Sequence, residues 1–155
     1  MSRSLPVDAL ARWLPVAAWA TVISVLSSDS FSGAHTATFL KPVFDLLLPG
    51  AAPTTIEAAH ALVRKLAHVT EYAILAVLVF RALERAERAA VASALGALAF
   101  CALYASLDEL HQSFVPSRGA SSLDVALDTL GAALGLAVRL ALPAGWLSAG
   151  RRSPA

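Results

Sequence analysis

Apolar residues run in four long blocks along this chain, and ionisable residues interrupt two of them where a membrane helix ordinarily carries none. The cleanest block, Ala89 to Leu107, has no charged residue in 19 positions. As a helix it would extend about 28 Å, close to the thickness of a bilayer's hydrocarbon core. An earlier block, Trp13 to Leu26, is short for a crossing and must borrow flanking residues or tilt, which gives a first span at about 12–27. Thr54 and Glu57 have the spacing of a capping box. They open a helical pattern through IEAAHALVRKLAHVTEYAILAVLVFRAL, whose later part, 66–83, is the second span. The third span covers 89–107 and the fourth 123–142, ending near Pro143, Gly145 and Trp146. Between the first two spans, FLKPVFDLLLPG has too few apolar residues to cross and closes on Pro49 and Gly50. It should lie in the interface or tuck against the bundle. Neither a repeat nor a strand period is evident. The pattern therefore predicts an all-α polytopic membrane protein: one domain over residues 1–155, a four-helix transmembrane bundle, an outer interfacial segment between helices 1 and 2, and a tail at 143–155.

Composition agrees with the bilayer as solvent. Hydrophobic residues make up 57% of the 155 and charged residues only 15%, against about 25% charged in soluble domains. A net charge of +1 gives no footprint for nucleic acid. The single Cys101 sits inside the third span, where it reads as a small buried hydrophobe. Arg3 and Arg12 precede the first apolar block as in a signal peptide, but the cleavage pattern after it is weak, so the block is read as retained.

The distribution of Lys and Arg orients the bundle. With four spans and the N-terminus inside, Arg3, Arg12, Arg81, Arg85, Arg88, Arg139, Arg151 and Arg152 face inward, against Lys41, Arg64, Lys65 and Arg118 outside. Both termini are expected in the cytoplasm, the protein in the cytoplasmic (inner) membrane, and Trp13 and Trp146 in one inner aromatic belt. The charged connection Arg81, Glu84, Arg85, Glu87 and Arg88 reads as a solvated turn, with Glu84 and Arg88 at the favourable four-residue spacing.

Orientation gathers the interrupting residues at one end. The start of the second span (Lys65, His68, Glu71, Tyr72), the end of the third (Tyr104, Asp108, Glu109, His111, Gln112), the loop Arg118, and the start of the fourth (Asp124, Asp128) all fall at the outer level. A charge at mid-bilayer costs about 2.5–3.5 kcal/mol even on the gentle insertion scale, so folding alone does not ask for this many. Glu71, Asp108, Glu109, Asp124 and Asp128 outnumber Arg64, Lys65 and Arg118, and the excess must be relieved by protonation, by histidinium or by a bound cation. Asp108 and Asp124 could instead cap helices or pair with Lys65 and Arg118 as a structural lock. Asp124 and Asp128 cannot both ionise cheaply at four residues' spacing, and the deeper Asp128 is the one expected to serve as a neutral donor to the third span. Gly131 and Gly135 lie on the same arc as that pair, in a small-xxx-small spacing that suits close helix packing within the bundle or, alternatively, a homodimer face. His35 and His60, outside the cluster, read as solvated.

These residues resemble the VanZ-like family, whose founding member is a teicoplanin resistance protein. The resemblance rests on KLAHVTEY at Lys65 to Tyr72 and DELHQSFVPSRGASSLDVALDTLGAALG at Asp108 to Gly135, with SVLSSDSF near Ser24 similar to the family's first-span exit. By it, Lys65, His68, Tyr72, Asp108, Glu109, Gln112, Arg118 and Asp124 occupy motif positions, and Gly131 and Gly135 the family's glycines. Two positions depart from the pattern: Asp128 stands where many members have Asn, and Ser117 where Gly is usual. The resemblance implies a small polytopic membrane protein with low-level glycopeptide resistance in the founding member and no settled activity. Two main classes of function follow. One is a non-catalytic envelope protein that binds an anionic or lipid-linked envelope component through Arg118 and Lys65. The other is a membrane hydrolase in which His68, Glu71 and Asp108 hold a metal or share acid and base roles, though neither HExxH nor a phosphate-cradling Gly-rich loop is present. A proton-coupled transporter ranks third, since four spans would need a dimer to form a path. No particular cofactor is indicated.

Overall fold

A computed structural model describes residues 6–28, 33–84, 89–114 and 121–142. Among these, the chain forms five helices and no strand: α1 (Pro6–Leu26), α2 (Gly33–Leu47), α3 (Pro53–Leu83), α4 (Ala90–Gln112) and α5 (Ser122–Ala141). Three of them, α1, α3 and α4, are long and apolar enough to cross a membrane. This all-helical membrane protein thus departs from the four-span count on composition: α5 has 20 residues, but Asp124, Asp128 and Arg139 lie within it.

The helix limits differ from expectation for local reasons. α1 opens at Pro6, a residue type suited to a first helical position, and its 21 residues reach about 31 Å, so it is not short. α3 starts at Pro53 with Ala52 as its N-cap and no side-chain cap, so the Thr54–Glu57 capping box is not formed. Pro53 supplies the start instead, having no N–H for the first turn to leave unpaired. At 31 residues, or about 46 Å, α3 continues well beyond the expected 66–83 span. That exceeds a hydrocarbon layer of roughly 30 Å by about three turns.

The segment expected to lie in the interface or tuck against the bundle folds as most of the 15-residue α2, which packs on the start of α3. The connection between them is a tight turn in which the Ala51 N–H donates to the Leu48 carbonyl at 3.1 Å. Pro49 takes the second position, and Gly50 takes the third with φ of +79°, a conformation open to glycine.

α3 is the axis of the molecule, touching each of the other four helices, and its interface with α5 is the most extensive. Early α1 meets late α3 through Arg12, which donates to the Glu84 carbonyl at 3.2 Å. Arg139 of late α5 reaches the same Glu84 side chain at 3.4 Å and lies 5.1 Å over the Phe80 ring. At the opposite end Ser27, just after α1, bonds Asp108 of α4, and Glu109 of α4 bonds Ser121 ahead of α5. α1 and α4 therefore run one way and α3 and α5 the other. The expected Glu84–Arg88 pair lies outside the described residues, as do Trp146 and the 143–155 tail.

The core is built from Tyr72, Leu75, Ala76, Val79 and Phe80 of α3 against small residues of α4 (Ala97, Cys101, Ala105) and Ala132 and Leu136 of α5. Val16 and Ile23 of α1 complete it. Leu95, Leu103, Leu134 and Val138 point outward, where hydrocarbon rather than water suits them.

Candidate functional site

The buried stripe of α4 changes character along its length. Ser93, Ala97, Cys101 and Ala105 recur every four residues, and the same stripe then continues as Asp108, Glu109 and Gln112, all buried. Three carboxyl and amide side chains are thus carried into the bundle by the register that packs the core.

Each buried acid has its own partner. Asp108 Oδ2 accepts from Ser27 Oγ at 2.7 Å and from Gln112 Nε2 at 3.0 Å. Glu109 Oε2 accepts the Ser121 N–H at 2.7 Å, tying the end of α4 to the residue that caps α5. Ser121 in turn accepts the Asp124 N–H through its hydroxyl at 3.3 Å. Asp128 of α5 lies completely buried beside His68 of α3, with Oδ1 3.4 Å from Nδ1, near enough for an ion pair but without hydrogen-bond alignment. The Tyr72 hydroxyl is likewise buried without a hydrogen-bond partner among the described residues. Buried polar atoms left open in this way commonly hold ordered water or a ligand group.

Two small cavities meet at His68. One, about 100 Å³, lies between α3 and α5 and is lined by Arg64, Lys65, His68, Asp124 and Asp128 together with Ala61 and Leu127. The other, about 120 Å³, lies between α1, α2 and α3 and is lined by Leu26, Ser27, Thr36, Arg64, Ala67, His68 and Glu71. Arg64 and His68 form the wall they share.

Close approach of α3 and α5 makes the first cavity. A Cβ on Gly131 would collide with the Val69 carbonyl oxygen, and one on Gly135 would lie 2.5 Å from that of Ala73. The two glycines therefore pack inside the bundle, backbone on backbone, and this seam brings Asp128 against His68.

Several expected partnerships are replaced. Lys65 is exposed on the cavity rim rather than paired with Asp108, which is held by Ser27 and Gln112. Asp128 faces His68 on the second expected span, not a stripe on the third, because the glycine seam sets α5 against α3. Among the described residues no three His, Cys, Asp or Glu side chains converge as metal ligands, so His68, Glu71 and Asp108 do not form the set a metal would require. His111 is exposed. His60 is half-buried, its Nε2 3.1 Å from Thr36 Oγ1, because α2 folds over it. Arg118, the loop cation expected at this site, lies outside the described residues.

Other contributors come from α1. Trp19 donates through Nε1 to the Glu71 carbonyl at 2.9 Å. Tyr104 donates to the Ala20 carbonyl at 2.7 Å and lies 2.8 Å from Ser24 Oγ. Its ring sits 6.2 Å from that of Tyr72. The SVLSSDSF stretch was the one signal for Ser24 and Ser27; a serine in an apolar block otherwise reveals nothing of the acid it will meet.

A family model described as VanZ/LLP1 matches residues 12–142. No curated protein and no solved structure matches the chain.

Proposed function

The chain belongs to the VanZ/LLP1 family, and from that premise we propose that it binds the anionic headgroup of a lipid-linked cell-envelope component at the outer face of the cytoplasmic membrane. In this proposal α5 is the fourth crossing. Its 20 residues suffice for about 30 Å, and its acids turn inward to other helices instead of lipid. α2 lies in the outer interface, with Phe39, Val43, Leu46 and Leu47 exposed along one face as an amphipathic surface helix requires. Both termini are cytoplasmic.

The observation that carries the proposal is the cavity in which Arg64 and Lys65 stand beside the buried His68–Asp128 pair. Two cations from consecutive positions of one helix offer a phosphate its charge complement, and the guanidinium adds forked donors. Asp124 and Asp128 hold the opposite sign nearby and would accept from hydroxyl or amino groups of the same ligand. At about 100 Å³ the cavity has room for roughly three waters' volume, which suits a phosphate and not a saccharide. The remainder of the ligand would occupy the adjoining space and the outer leaflet. A role in envelope stress or glycopeptide tolerance would then arise through the bound component.

Lipid extracted from the purified chain should contain a phosphate-bearing envelope lipid that is depleted at least about tenfold in the Arg64→Ala, Lys65→Ala double variant. Membrane abundance by quantitative blot should stay near wild type. Equal lipid content in both proteins would remove the proposal. A second reading draws on the imidazole–carboxylate arrangement itself, in which Asp128 orients His68 as a general base. Turnover of a phosphorylated outer-leaflet lipid by the purified protein, lost in His68→Gln, would favour that reading over binding alone.

A further inference from the structure

A wider recess lies apart from the His68 site. A cavity of about 800 Å³ lies between α2 and the first turns of α3, lined by Lys41, Phe44 and Asp45 on one side and Ile56, Glu57 and His60 on the other. Its volume is that of a pocket for a drug-sized molecule, well beyond a lone phosphate. Apolar surface dominates the lining, and the charges stand among it. Across α2, on the face turned away from this cavity, Phe39 is 79% and Leu46 80% exposed. On the placement of α2 proposed above, that stripe lies at the acyl boundary and the cavity at headgroup depth.

The charges identify what fits. Lys41 and Asp45 pair at 2.7 Å, four residues apart and both solvent-accessible, a contact loose enough to be shared. Glu57 is exposed and has no ion pair among the described residues. Lys41 gives the lining a cation, and Asp45 and Glu57 give it two carboxylates. A ligand that complements it brings a positive group to Glu57 and a negative group to Lys41, joined to a chain that covers Phe44 and Ile56. We propose that this cavity is a lipid site selective for a phospholipid whose headgroup ends in a primary amine, distinct from the cavity at His68. The ammonium donates to Glu57, the phosphate meets Lys41, and the glycerol with the first methylenes covers the apolar wall.

Native mass spectrometry of the purified 155-residue chain, incubated in turn with phosphatidylethanolamine, phosphatidylglycerol and phosphatidylcholine, tests this. Phosphatidylethanolamine should be retained about tenfold better than the other two, and Glu57→Gln should remove that advantage. Ile56→Trp, which fills the cavity from its apolar wall, should lower retention of the amine lipid. Equal retention of the three lipids, preference for phosphatidylglycerol, or an undiminished preference in Glu57→Gln would each overturn the proposal.

Discussion

Asp128 has no solvent to rely on, and the group within ion-pair distance of it is His68, which keeps 21% of its own side-chain surface. Removing one member of such a pair strands the other, whereas replacing both with apolar residues removes the burden altogether. His68→Leu and Asp128→Leu should therefore each destabilise the protein by about 3 kcal/mol, and the double variant should recover most of that loss. Unfolding in detergent micelles would measure it; a double variant no more stable than the worse single would show that the two residues act separately. Asp128→Asn keeps the volume and an oxygen toward His68, so its abundance should stay close to wild type. Asp124 is in another position. It sits half-buried in the first turn of α5, where the helix dipole favours its charge.

Packing between helices is governed by what is missing from them. Small residues at four-residue intervals let α4 approach α3, and two glycines let α5 approach closer still. The obstacles around Gly135 are backbone atoms of Ala73, with Cα 2.8 Å from an added Cβ, and backbone cannot rotate away. Gly135→Ala should force α3 and α5 apart at a cost of about 1–3 kcal/mol and loosen the His68 cavity. Gly96 offers a contrast within α4. There an added Cβ would meet only the mobile end of Leu83 at 3.1 Å, while the helix would gain about 1 kcal/mol from losing glycine. Gly96→Ala should be neutral or stabilising in the same unfolding assay, and equal losses at the two positions would contradict the backbone contact.

For the molecule as a whole, the four antiparallel helices separate two kinds of polarity. One end joins Arg12, Glu84 and Arg139, and the other buries Asp108, Glu109, Gln112 and Asp128. In the proposed orientation, which follows the positive-inside rule applied to the sequence, the first end is the cytoplasmic one. Phe114 and Ala89 flank α4 and are both exposed, which makes them reporters for opposite sides. In a Cys101→Ala background, an impermeant thiol reagent applied to intact cells should label Phe114→Cys and leave Ala89→Cys unmodified until the membrane is opened. The reverse pattern would move the polar cavity to the cytoplasmic face and, with it, the envelope ligand out of reach.

The sequence by itself determined the medium, the helical class and the level at which the ionisable residues collect. Each of these follows from local facts: apolar block length against bilayer thickness, helical period, and the motifs from Lys65 to Tyr72 and Asp108 to Gly135. It could also mark Gly131 and Gly135 as a contact face, because absent side chains are visible in a sequence. Only the tertiary structure decided partners. Asp108 meets a serine 81 positions away and Asp128 meets His68, and no spacing along one helix encodes which face of another it will touch. Helix starts moved for the same reason on a smaller scale, since Pro53 could begin α3 without the capping box that Thr54 and Glu57 suggested. The cavity under α2 was beyond the pattern as well: α2 could have lain free in the interface, and its packing over His60 arises from contacts between segments that share no period.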